Sequence, residues 1–146
     1  MVDQSFGVES MASKMQIKVL VVDDEITILN SIKQILEEKG LLVSIAQDGM
    51  EALTKMEMED FDIVITDYYM PVMNGEELLM TIKGRFPRVI VIVISGFCTV
   101  EDRIDFLFKG AFNCIKKPFK INEIDSIIST AVKLCNNQVS KLKTIN

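Results

Sequence analysis

Apolar and polar residues alternate along this chain in blocks of two kinds. Residues 17–22 (IKVLVV), 61–66 (FDIVIT) and 89–94 (VIVIVI) are short, nearly unbroken β-branched and aliphatic runs, the pattern of buried strands. Residues 42–46 (LVSIA) and 112–115 (FNCI) are weaker runs of the same kind. The VIVIVI run is the most apolar and is predicted to be central. Between the runs, apolar residues recur with helical spacing. Ile28, Leu29, Ile32, Ile35 and Leu36 mark a first helix that Gly40 stops. Asp48 is placed to cap a second, with Ala52, Leu53 and Met56 facing inward. A third covers residues 76–83 after the Asn74-Gly75 turn signal, a fourth residues 100–109, and Asn122 caps a fifth carrying Ile124, Ile127, Ile128 and Ala131.

Buried strands that alternate with helices predict an α/β fold, a five-stranded parallel sheet with helices on both faces. The 146 residues suit one domain. Residues 16–136 are read as that domain, 1–15 as a disordered leader, and 137–146 as a tail or linker helix. Ile128, Val132, Cys135, Val139 and Leu142 have the spacing of a coiled-coil seam, but Asn136-Asn137 is the expected end of the helix. In the fourth helix, Val100, Ile104, Leu107 and Phe108 cluster on one face and are expected inside. Phe106 falls among Asp102 and Arg103, which makes it a candidate exposed contact for a partner.

Composition narrows the chemistry by exclusion. There is no histidine, so His-based metal sites and His-activated nucleophiles are excluded. A net charge of −5 argues against direct nucleic-acid binding. No apolar run reaches the roughly 18 residues a membrane span needs, and the N-terminus lacks the apolar centre of a secretory signal. The expected location is the cytoplasm, away from any membrane. Three cysteines, Cys98, Cys114 and Cys135, read as small buried residues outside any disulfide framework.

In a sheet of this kind, ligands lie beyond the carboxyl ends of the strands. The polar residues there are Asp23 and Asp24 after the first strand, Asp67 after the third, Ser95 after the fourth, and Lys117-Pro118 after the fifth. Crowded carboxylates repel one another, and a bound cation relieves the repulsion. Oxygen-only ligands favour Mg²⁺. A hydroxyl and an ammonium group alongside are donors suited to a phosphoryl group, and an Asp carboxylate is a competent nucleophile toward phosphorus. Any one of these residues alone reads as a turn, cap or solvated charge. Their joint placement at successive strand ends is what points to a site.

The runs VVDDE (21–25), TDYYMPVMNG (66–75), VIVISG (91–96) and GAFNCIKKPF (110–119) resemble the receiver domains of bacterial two-component response regulators, from residue 17 to about 134. The resemblance implies a flavodoxin-like fold with strand order 2-1-3-4-5. It implies that Asp67 accepts phosphate from a histidine kinase or phosphotransfer protein, and that Mg²⁺ is held by Asp23, Asp24, Asp67 and the backbone carbonyl of Tyr69. Ser95 would hydrogen-bond the phosphoryl oxygen, Lys117 would pair with Asp67, and the Lys117–Pro118 bond is often cis. Chemistry would be limited to taking up and losing the phosphoryl group. An output domain or self-association would use residues 100–115 and the last helix. In the family an aromatic ring on strand five swings inward as the Ser or Thr after strand four moves. Here that position is Cys114, so the usual ring-based switch is in question. Tyr69 and Phe97 flank the approach to Asp67 and are expected to exclude water and slow dephosphorylation.

Two other readings compete. An Asp-nucleophile phosphatase resembling haloacid dehalogenases would need a second Asp two residues after the nucleophile, where Asp67 has Tyr69; turnover of a small phosphoester would favour it. A degenerate receiver acting only in protein binding would fail to label with acetyl phosphate, and the intact acidic and lysine positions weigh against it.

Overall fold

The computed structural model describes residues 16–96 and 98–145, and side-chain surroundings through residue 137. Five strands, β1 (Lys18–Val22), β2 (Leu42–Ala46), β3 (Ile63–Asp67), β4 (Ile90–Ser95) and β5 (Asn113–Lys116), alternate with five helices, α1 (Ile26–Glu38), α2 (Gly49–Met58), α3 (Gly75–Arg85), α4 (Val100–Phe108) and α5 (Ile121–Ile145). All strand pairs are parallel, in the order β2-β1-β3-β4-β5. The middle strand is therefore β3, and the apolar β4 lies next to it, buried along its whole length.

Strand alternation divides the core into two layers. Val19, Val21, Ile63, Ile65, Ile92, Ile94 and Ile115 face α1 and α5, meeting Leu29, Ile32, Leu36, Ile124, Ile128, Ala131 and Cys135. Leu20, Val22, Val64, Val91, Val93 and Cys114 face α2, α3 and α4. The unbroken apolar runs of β1, β3 and β4 follow, because both faces of those strands must be covered.

Local signals place the helix starts. The Asp48 side chain accepts from the Glu51 N–H at 2.8 Å, and Asn74, read as part of a turn, caps α3 through the Glu77 N–H at 2.9 Å. Thr99 and Asp102 form a reciprocal capping box at α4. Gly40 takes the positive φ (+83°) expected of a helix stop. Asn122 does not cap α5: the helix starts at Ile121, and the carbonyl of Lys120 accepts from Glu123 and Ile124. The helix also runs through Asn136 and Asn137 to Ile145, rather than ending there. Of the seam residues, Ile128 and Cys135 are buried in this chain's own core, while the side chains of Val139 and Leu142 lie outside the described ones.

Helix α4 is turned the opposite way from its sequence reading. Phe106 is buried (3 % exposed), whereas Val100, Ile104, Leu107 and Phe108 are all exposed, Phe108 by 88 %. The Phe106 ring packs on Tyr68 with centroids 4.5 Å apart. Phe106 as an exposed partner contact is therefore wrong: the apolar face counted as the inner one is the outer one.

Candidate functional site

The strand ends are fastened to one another before any side chain is considered. The Asp23 N–H donates to Ala46 of β2, the Tyr68 N–H to Ile94 of β4, and the Lys117 N–H to Ser95 of β4, at 3.1, 2.9 and 2.8 Å. Each bond carries the ladder one step past its strand, so the residues on the rim inherit the rigidity of the sheet. On that rim Asp23, Asp24 and Asp67 each place a carboxylate oxygen within 4.8 Å of the others. Asp23 and Asp67 are buried and Asp24 is exposed, so the cluster opens to solvent on one side.

Lys117 reaches across from the far edge of the sheet. Its Nζ lies 3.1 Å from Asp23 Oδ2 and 3.3 Å from Asp67 Oδ2. The Lys117–Pro118 peptide is cis. Asp23 Oδ1 also accepts from the Glu25 N–H at 2.9 Å, which aims the carboxylate inward. Burial raises the Asp67 carboxyl above the ordinary range, the Asp23 charge adds to the rise, and Lys117 and the Tyr69 N–H oppose it. Burial works against the charge of Lys117, but its hydrogen bond to Asp23 and the charges of Asp23 and Asp67 outweigh that and raise it. The ammonium is thus held charged between two carboxylates.

Ser95 is fully buried at the end of β4. Asp67 pairs in register with Ile94, so Ser95 stands one residue beyond Asp67 on the adjacent strand. Tyr69 contributes its N–H to Asp67. Its ring is more than half exposed and meets Tyr68 edge-on at 5.1 Å. Phe97, the other expected shield, lies outside the described residues. Cys114 is buried in β5 with its sulfur 3.0 Å from that of Cys98. The sequence reading of all three cysteines as inert core is thus incomplete, since Cys98 is only half-buried in the β4–α4 loop.

Three features were missed in the sequence. Gly75 packs so tightly on the loop after β3 that a Cβ there would lie 2.5 Å from the Asp67 carbonyl oxygen and from Tyr68 Cα. Its N–H donates to the Tyr68 carbonyl at 2.7 Å. Tyr68, next to Asp67, forms a second relay: its hydroxyl donates to Glu76 at 3.0 Å, Glu76 pairs with Lys109 at 2.8 Å, and Lys109 with Asp105 at 2.6 Å. Burial and the Glu76 hydrogen bond push the Tyr68 phenol up to about 12, so it stays protonated and donating. The loop after Asp67 is thereby tied to α4. Val72, in the same loop, has a φ of +70°, rare for a β-branched residue. Of these, only the Asn74-Gly75 pair carries a sequence signal, that of a turn.

The acidic cluster is a fit for a hard divalent cation. Its donors are carboxylate oxygens alone, they carry excess negative charge, and one side is open for water or a phosphate oxygen. Asp23, Asp24 and Asp67 would hold it.

Comparison with known proteins agrees with this geometry. The family profile "Response regulator receiver domain" matches residues 19–129. A "Probable transcriptional regulator ycf29" of Pyropia yezoensis is 33 % identical over 81 % of this chain and 54 % of its own length. A "Putative response regulator NtrX-like" of Rickettsia bellii is 34 % identical over 89 % of this chain and 27 % of its own. The chain thus spans about half, or about a quarter, of the length of these relatives. Among solved structures, a CheY-like receiver domain of Methanospirillum hungatei superposes with a TM-score of 0.78 at 32 % identity, covering 84 % of this chain and 98 % of that one. A beryllofluoride-activated NtrC4 receiver domain dimer gives 0.76 at 34 % identity, covering 81 % and 98 %. With that profile match, these identities and the parallel 2-1-3-4-5 sheet, the chain belongs to the response regulator receiver domain family, the phosphorelay modules of two-component signalling.

Proposed function

We propose that Asp67 is the phosphoacceptor of this receiver and that Asp23, Asp24, Ser95 and Lys117 serve the transfer. The observation that carries the reading is the Lys117 ammonium lying 3.3 Å from the Asp67 carboxylate and 3.1 Å from Asp23, in a rim of three clustered carboxylates. An Asp67 oxygen attacks phosphorus in the donor. The bond from phosphorus to the donor's nitrogen (a phosphohistidine) or oxygen (an acyl phosphate) breaks, and its electron pair leaves with the donor. Lys117 opposes the protonation that burial and Asp23 favour at Asp67, and afterwards its donors turn to the new phosphoryl oxygens. Ser95 offers a hydroxyl to the same group from β4. Mg²⁺, when bound by Asp23, Asp24, Asp67 and the Tyr69 carbonyl, supplies charge neutralisation for the crowded oxygens.

The phosphodonor is a histidine kinase or phosphotransfer protein, and the setting is cytoplasmic. The relatives are regulators about two to four times as long as the part this chain matches, which supports an output partner. The exposed apolar face of α4, with Val100, Ile104, Leu107 and Phe108, supports residues 100–115 and the last helix as the surface that partner or a second receiver reads. Tyr69, two residues beyond Asp67 and with its ring more than half exposed, is assigned the slowing of phosphoryl loss by excluding water.

Incubation with acetyl phosphate and Mg²⁺ tests the assignment. Wild type should gain a hydroxylamine-sensitive phosphoryl group that Asp67→Asn lacks, and Asp23→Ala and Asp24→Ala should raise the Mg²⁺ concentration required. Labelling of Asp67→Asn at the wild-type level would refute it.

A further inference from the structure

Cys114 stands where an aromatic side chain was expected on β5, and it faces a second thiol. Its Sγ is 3.0 Å from Sγ of Cys98, and both are free. Cys98 lies in the loop between β4 and α4, three residues after Ser95 and immediately before the Thr99 cap. Cys114 is 1 % exposed, pairs in register with Val93, and sits in the core layer against which Cys98 packs. Cys135 belongs to the opposite layer, across the sheet, and cannot take the place of either. A disulfide bond is about 2.0 Å long, so the two sulfurs have roughly 1 Å to close, with one of them carried on a loop.

We propose that Cys98 and Cys114 are a redox pair, and that their oxidation by a hydroperoxide ties the β4–α4 loop to β5 and clamps the conformational response to phosphorylation. The Cys98 thiolate attacks one peroxide oxygen. The O–O bond breaks, the other oxygen leaves with the electron pair and takes a proton, and Cys98 becomes a sulfenic acid. The Cys114 sulfur then attacks the Cys98 sulfur. The S–O bond breaks, hydroxide departs with the Cys114 proton as water, and the S–S bond forms. In sum two thiols lose two hydrogens and hydrogen peroxide becomes two waters. A dithiol reductant reverses the step by exchange. The order of roles follows from exposure: Cys98 is half-buried and reachable, whereas Cys114 is enclosed, and burial together with the Cys98 thiol pushes its own thiol up to about 12. The clamp rests on the phosphoacceptor reading of Asp67, because the restrained loop is the one that follows Ser95. The crosslink does not rest on it.

The test uses the full chain, reduced and then exposed to a small excess of hydrogen peroxide. Remaining thiols are blocked with N-ethylmaleimide under denaturing conditions, and the peptides are weighed. The expected product is a monomer in which the Cys98 and Cys114 peptides are joined, with Cys135 alkylated and the bond reversed by dithiothreitol. Cys114→Ser and Cys98→Ser should abolish it, the second at a loop position where folding is not at stake. Asp67→Asn should form it undiminished. Addition of beryllofluoride and Mg²⁺ should shift the backbone amide resonances of residues 95–117 in the reduced protein. In the oxidised protein the concentration needed should rise at least tenfold. Cys98 found as a sulfinic acid, or joined only between molecules, with Cys114 still a thiol, overturns the pair. A disulfide that leaves the beryllofluoride response unchanged overturns the clamp. Absence of any response in the reduced protein, with the disulfide formed, overturns the Asp67 reading and the clamp together and upholds the crosslink.

Discussion

Truncating Phe106 separates the two possible orientations of α4. Its ring is the one buried side chain of that helix, 3 % exposed and packed at a tilt against Tyr68, with centroids 4.5 Å apart. Phe→Ala in a core costs about 3–5 kcal/mol, counting the cavity left behind. Some 0.5–1.5 kcal/mol of that is the ring–ring contact itself. A domain of this size is stable by about 5–15 kcal/mol in total, so Phe106→Ala should remove a large share. With a urea dependence near 2 kcal/mol per molar, the unfolding midpoint should fall by roughly 1.5–2.5 M. Phe108→Ala is the internal control. At 88 % exposure it gives up almost no burial, and its stability should stay within about 0.5 kcal/mol of wild type. Urea titrations followed by far-UV circular dichroism measure both. A Phe106→Ala midpoint within about 0.3 M of wild type, with Phe108→Ala moving it by more than about 1 M, would mean that α4 faces the other way. Weakened association in Phe108→Ala, with its fold intact, would be the complementary sign that the outer face meets a partner.

Two other substitutions probe the loop after Asp67. Gly75→Ala forces a methyl to within 2.5 Å of the backbone of Asp67 and Tyr68, which should cost about 1–3 kcal/mol; acetyl phosphate labelling should slow at least tenfold as Asp67 is displaced, and an unchanged rate would count against this packing. Val72→Asn should do the reverse: the residue is 88 % exposed with φ at +70°, so a side chain that tolerates the left-handed region should add about 0.5–1 kcal/mol, seen as a higher urea midpoint and contradicted by a lower one.

The strand ends were legible because the signal is one-dimensional. A β-branched run that stops at Asp23, Asp67 or Ser95 says which residue reaches the rim, and the parallel sheet does the gathering. Helix α4 was illegible for the opposite reason. Periodicity assigns the denser apolar face to the core, yet α4 buries the single side chain of Phe106 and turns its denser face, Val100, Ile104, Leu107 and Phe108, to the outside. The relay from Tyr68 through Glu76 to Lys109 and the approach of Cys98 to Cys114 had no sequence signal, because each joins residues of different elements that only the fold brings together.

The ion pair between Lys117 and Asp23 joins residues 94 positions apart, from the last strand to the first. Closing a loop of that length is a late event in folding, because its entropy is lost before the contact returns anything. On a ribosome it is later still, since β1, β2 and β3 emerge with all three carboxylates while the lysine that steadies them is unsynthesised. A nascent or truncated chain therefore carries the acidic cluster without its counter-charge. Only when β5 docks on β4 does the ammonium come to lie between Asp23 and Asp67, so a chain that stops before residue 117 holds the three aspartates with nothing of opposite sign between them.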